Sequence, residues 1–179
     1  GEAPGDSLAP FWANQLFRDT PPSVSHFFDT VSFGQYKVTG GHLPKRYELP
    51  NDSNYYRDNR SYYARDVMKL LDDDPSVDFR LFDNNGPDGI PASPDDDGFA
   101  DYLLLMPMSR PYGFIFNYAT GIATLMMRNT FYAKDVNYQN LFIKVDNYSG
   151  SIAVASNLNE AIGTMVAEIA HAYGAEDLM

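Results

Sequence analysis

No cysteine occurs in the 179 residues, which excludes disulfides and thiolate metal sites and leaves the redox compartment undecided. Cations are scarce: 13 Lys and Arg stand against 24 Asp and Glu, for a net charge of −11. No Lys/Arg run occurs anywhere, which argues against nucleic acid and anionic membrane surfaces as partners. Long apolar runs are missing too. The longest, Tyr102 to Met108, falls far short of the roughly 20 residues a membrane helix needs. No Gly-rich phosphate loop, G-x-S-x-G elbow or Cys/His pair is present, so serine and cysteine hydrolase chemistry has no residues to run on. No basic segment followed by an apolar one opens the chain. Gly1 followed by Glu2-Ala3-Pro4 reads as a cloning scar on a mature start, with any signal peptide already removed.

What is present is apolar and aromatic. Hydrophobic residues make up 44% of the chain and aromatics 15%, enough to fill one core and to exclude wholesale disorder. Residues 1–10, with Pro4, Gly5 and Pro10, are expected to form a loose arm, and 11–179 a single α+β domain. Val24, Phe27, Phe28 and Val31 form an i, i+3, i+4, i+7 stripe, which predicts a helix with Ser23 as N-cap and Gly34 as stop. The alternating stretch 35–50, broken by Gly40-Gly41, suggests two strands and a turn. A second helix is predicted over 61–71, with Ala64, Val67, Met68 and Leu71 on one face and Asp72-Asp73-Asp74-Pro75 ending it. The run 102–106 reads as a central strand, 114–118 and 122–126 as a hairpin around Gly121, and 141–145 as a further strand. The last element is a helix over 159–173 with Ile162, Met165, Val166, Ile169 and Tyr173 facing the core.

Between 83 and 101 the chain is nearly all turn formers and carboxylates, DNNGPDGIPASPDDDGFAD. Ser93, Asp95, Asp97 and Gly98 fit positions 1, 3, 5 and 6 of a Ca²⁺ loop, Phe99 offers a carbonyl, and Asp101 falls near position 9. Leu104 stands where the bidentate Glu of an EF-hand belongs, so the loop is not an EF-hand. Asp83, Asn85 and Asp88 could complete the oxygen shell from the preceding turn. Ca²⁺ is therefore a candidate cofactor, and a solvated acidic turn is the plain alternative.

The chain ends on AEIAHAYGAEDLM, a zinc-peptidase helix with one letter changed. In H-E-x-x-H two imidazoles four residues apart project from one helix face and grip Zn²⁺, while the Glu between them activates the metal-bound water. Here Glu168 and His171 are in place, and Gly174 can turn the chain back out of the helix. Asp177 follows where an H-x-x-G-x-x-D segment delivers a third ligand. Ala167 replaces the first histidine. His26, on the polar side of the first helix, and His42, in a turn, are read as surface residues rather than substitute ligands.

With SVSHFFDTVSFGQYKVTG near the start, VDFRLFDNNGPDGIPASPDDDGFADYLLLM in the middle and IGTMVAEIAHAYGAEDLM at the end, the sequence resembles the M6 family of secreted metallopeptidases, the immune inhibitor A-like group. The three stretches occur in the family's order and cover most of 11–179. The resemblance implies a zincin-like fold, one catalytic Zn²⁺, catalytic domains that carry Ca²⁺, and an extracellular, secreted location. By position, Glu168 would be the general base and His171 and Asp177 zinc ligands, with Ala167 at the lost ligand. Catalytic zinc keeps three protein ligands and a water. This chain is therefore expected to bind Zn²⁺ weakly or not at all and to be inactive as written. The family's catalytic domain also continues past the D-L-[YM] segment into a subdomain that walls the cleft. Peptide or protein is the implied substrate or ligand. The alternative is a pseudopeptidase, an extracellular binding or structural module that pairs with an extended peptide without cutting it.

Overall fold

A computed structural model describes residues 9–108, 114 and 120–175. Residues 1–8 of the expected arm, most of the 114–118 strand and Asp177 lie outside the described residues.

The described residues hold four α-helices and five short strands, an α+β fold. Helix α1 (Val24–Val31) starts where Ser23 accepts the His26 amide, and the chain leaves it through Gly34 at φ +76°. Only half of its apolar stripe is covered. Val24 and Phe28 are buried, whereas Phe27 and Val31 are exposed. Helix α2 (Ser53–Asp58), capped by Asp52, has no counterpart in the sequence reading. It leads through Asn59 into α3 (Arg60–Asp72), which buries Tyr63, Ala64, Met68 and Leu71. Helix α4 (Leu158–Ala172) is capped by Asn157 and buries Ala161, Thr164, Met165, Glu168 and Ile169. Tyr173, expected in the core, is 70% exposed because the helix has already ended.

One sheet has the order β1–β5–β2, built from β1 (Leu103–Leu105), β5 (Gly150–Ala153) and β2 (Gly121–Ile122). β1 runs parallel to β5 with Leu103 opposite Gly150, and β2 runs antiparallel with Gly121 opposite Ala153. Among the described residues the apolar run at 102–106 therefore marks an edge strand of this sheet, not a central one. It is apolar throughout because both of its faces are covered. Leu103 and Leu105 pack with Tyr56, Met68, Phe79, Leu125, Ile143 and Ile152 on one side. Tyr102, Leu104 and Met106 pack with Trp12, Leu16, Val24, Phe28, Met165 and Ile169 on the other.

The remaining strands, β3 (Phe131–Val136) and β4 (Phe142–Val145), form a separate antiparallel hairpin. It is closed by Asn137, whose side-chain oxygen accepts the amides of Gln139 and Leu141. Gly121 thus belongs to a strand that pairs with β5, and 123–126 is not strand.

The two strands expected over 35–50 do not form. This segment forms no ladder, only an isolated bridge at Lys45, and Pro44 removes an amide that a ladder would use. It is clamped by side chains instead. Asp74, just past α3, accepts the Tyr47 hydroxyl at 2.6 Å, pairs with the Lys45 ammonium and accepts the amide and hydroxyl of Ser76. Among the described residues no helix is long and apolar enough to cross a membrane.

Candidate functional site

Helix α4 carries the expected chemistry at its C-terminal end. Its start is fixed by exchanged caps, with Asn157 accepting the Glu160 amide and Glu160 accepting the Ser156 amide at 2.6 Å. Its end is fixed by Gly174 at φ +89°, where the amides of Gly174 and Ala175 return to the carbonyls of His171 and Ala170. That turn brings the Ala175 carbonyl to His171 Nδ1 at 2.8 Å. A carbonyl only accepts, so Nδ1 carries a proton and donates it to this bond. Backbone carbonyls orient metal-ligating histidines in this way.

Three positions earlier, Glu168 is 7% exposed, an unusual depth for a carboxylate. Its side chain lies against the backbone of β2. A methyl group placed on Gly121 would collide with Glu168 Oε1. Gly121 is therefore a site residue, where the sequence suggests only a turn. On the same sheet, burial raises the Tyr102 hydroxyl to about 12, opposed by its 2.9 Å bond to Ser151 and reinforced by the charges of Glu168 and Tyr173. Ala167 is exposed, and its methyl group takes no place in either core cluster. His26 is half-buried on α1, and His42 is exposed with its ring bonded to Asn14 and to the Leu43 carbonyl.

Among the described residues no three His, Cys, Asp or Glu side chains form a group that could hold a metal ion. On α4 the described donor is a single imidazole, with alanine one turn before it. This set does not fit a catalytic zinc, which takes three protein ligands.

The acidic stretch forms a loop closed at both ends. The short 3-10 turn Phe79–Phe82 leads into it, the Ala92 amide bonds the Asp83 carbonyl at 2.7 Å, and the Asp101 amide bonds the Phe82 carbonyl at 2.6 Å. Its far end is stitched to β4 through the backbone of Lys144, whose amide bonds the Gly98 carbonyl and whose carbonyl accepts the Ala100 amide.

Within the loop the carboxylates divide. Asp88 and Asp95 are engaged with Ser93 and with loop amides, and the Ser93 hydroxyl holds Asp95 below the usual carboxylate range. Asp96, which spacing does not single out, accepts the Gly86 and Ser93 amides at 2.7 and 2.8 Å and pins the loop from inside. Asn85 is exposed. Asp97 and Asp101 each give one oxygen to an amide, of Phe99 and Asn84 respectively. Asp83 differs from all of these. It is fully buried, and neither of its carboxylate oxygens has a hydrogen-bond partner among the described residues. Burial, then the charges of Asp96 and Asp97, push it up to about 6, while the Gly98 amide pulls the other way without completing a bond. Burial also raises Asp101, opposed by the Asn84 amide and reinforced by Asp97 and Asp96.

Comparison with protein-family models, curated proteins and solved structures matches this chain to none of them.

Proposed function

We propose that this chain is an M6-type metallopeptidase-like domain of zincin character, secreted, and inactive as written because Ala167 stands at a zinc-ligand position. The observation that carries the reading is the placement of Glu168. A carboxylate one turn before a carbonyl-oriented histidine is buried under the backbone of β2, which among the described residues is an edge strand of its sheet. An extended peptide pairing along such an edge would gain main-chain hydrogen bonds and would lie above Glu168. That is the arrangement peptide hydrolysis needs of a general base. With one imidazole on the helix, the arrangement supports holding a peptide and not cutting it, so the pseudopeptidase alternative shares the same edge.

The test restores the ligand. Ala167→His places a second imidazole one turn from His171, and Zn²⁺ affinity measured by calorimetry should rise at least about tenfold over the parent chain. The parent should show no chelator-sensitive cleavage of casein with Zn²⁺ added. An unchanged affinity in the variant would remove the zinc ancestry of α4, and chelator-sensitive cleavage by the parent would remove the claim of inactivity.

A further inference from the structure

Where α1 packs on the end of α4, the surface is aromatic. Phe27 and Phe28, Phe28 and Tyr36, and Tyr36 and Tyr173 form a string of edge-to-face contacts, with ring centroids 5.4, 5.7 and 5.6 Å apart. Of this face only Phe28 is buried, whereas Phe27, Val31, Phe33, Tyr36 and Tyr173 are exposed. The rings border an apolar notch of about 410 Å³, lined by Phe28, Tyr36, Ala170, Tyr173 and Ala175, which has room for an aromatic side chain. Phe33 is its converse. The Ser32 hydroxyl accepts the Tyr36 amide at 2.8 Å, so Phe33 projects from a closed turn whose far end is a wall of the notch. Phe33 is 91% exposed, and its backbone holds φ +57°. Glycine or asparagine takes that left-handed conformation at lower cost than a bulky residue. A phenyl group placed there buries almost nothing within its own chain. The turn that carries it, SFGQY over 32–36, has no charged residue.

We infer that this face is the interface of a symmetric dimer, in which Phe33 of each copy enters the notch between Phe28, Tyr36 and Tyr173 of the other. A knob and a notch on one patch make the patch self-complementary, which is what an isologous twofold contact requires. The area is in keeping with a second copy. At about 150–250 Å² for a whole aromatic side chain, the exposed fractions of the five residues amount to on the order of 500 Å² per copy. That is at the upper end of the apolar patches that monomers leave uncovered. Two copies would bury about 1,000 Å² in all, the lower bound for a specific interface, so the dimer is weak and reversible. An ionic partner has no charged side chain to pair with on the turn that carries the knob. Each copy also carries a net charge of −11, so the two repel through solvent while their apolar faces attract. The inference is independent of zinc and of any peptidase reading.

The test is sedimentation velocity of the full chain from about 1 to about 500 µM. The mass should move from that of the 20.1 kDa monomer toward twice that value, with a Kd of about 10–100 µM. Raising NaCl from about 0.05 to about 0.5 M should tighten the dimer, because salt screens the repulsion between the two acidic chains and leaves the apolar contact in place. Phe33→Gly removes the knob at a position whose backbone suits glycine. It should weaken association at least about tenfold without lowering the melting temperature of the dilute monomer. Ala170→Leu fills the notch from the other side and supplies the same loss should Phe33→Gly fail to fold. A parent that stays monomeric over the whole range would overturn the inference. So would either variant associating as tightly as the parent, or a dimer that dissociates on adding salt.

Discussion

Two glycines show how the same substitution can cost different amounts for a stated reason. A Cβ on Gly150 would collide with the carbonyl oxygen of Leu103, which is backbone and cannot retreat without breaking the β1–β5 pairing. A Cβ on Gly121 would meet the end of the Glu168 side chain, which can swing aside at the cost of its buried position. Gly150→Ala should therefore destabilise by on the order of 3 kcal/mol or more, and Gly121→Ala by about 1 kcal/mol. Urea midpoints check both, and equal costs would mean that Glu168 is as immovable as the strand. At this scale the sequence is informative about chemistry and less so about partners. The helix stop at Gly174 is legible from the sequence. Gly121 is not, because a glycine that admits a carboxylate looks the same in sequence as a glycine that makes a turn. Asp96 is hidden in a run of three aspartates whose members differ only in the amides they meet.

Among the elements, helices are legible wherever a stripe of large apolar residues repeats at helical spacing, as in α1, α3 and α4. Helix α2 escapes because SNYYRD is too short to show a period. Strand β5 escapes for the opposite reason. Its four residues, GSIA, are buried throughout and too small to stand out as an apolar run. The 35–50 segment alternates like a strand yet is held by Asp74 rather than by a ladder, and this clamp makes a pH prediction. The Lys45 ammonium, then the Tyr47 and Ser76 hydroxyls, hold the Asp74 carboxyl well below the usual carboxylate range. A depressed folded-state value means stabilisation that is present above the unfolded-state value near 3.9 and is lost as pH falls below it. Asp74→Asn should lower the melting temperature at pH 7. The gap from the parent should shrink steadily below about pH 4. A gap that stays constant down to about pH 2 would place the stabilisation outside this carboxylate.

Across the whole molecule, the β1–β5–β2 sheet separates two apolar clusters that draw on different helices, α2 and α3 on one face and α1 and α4 on the other. Ile143 belongs to the first and Ile169 to the second. Each truncated to Val should cost about 0.5–1.5 kcal/mol, and the double variant should equal the sum to within about 0.5 kcal/mol. Denaturant melts of the three variants decide this, and a larger discrepancy would show the two clusters acting as one. The sheet between them has a consequence for folding fidelity. In most half-exposed strands a slip of one residue is punished at once, because it drives apolar side chains into water. β1 has no such safeguard, since Tyr102, Leu104 and Met106 would be nearly as welcome on the face that Leu103 and Leu105 occupy. What distinguishes the correct alignment is the absence of a side chain at Gly150, a gap that neither Ser151, Ile152 nor Ala153 can offer to the Leu103 carbonyl. A single missing methyl group thus acts as the key that selects one alignment of the parallel pair over its neighbours, and filling it would yield chains that pair out of step as well as chains that pair weakly.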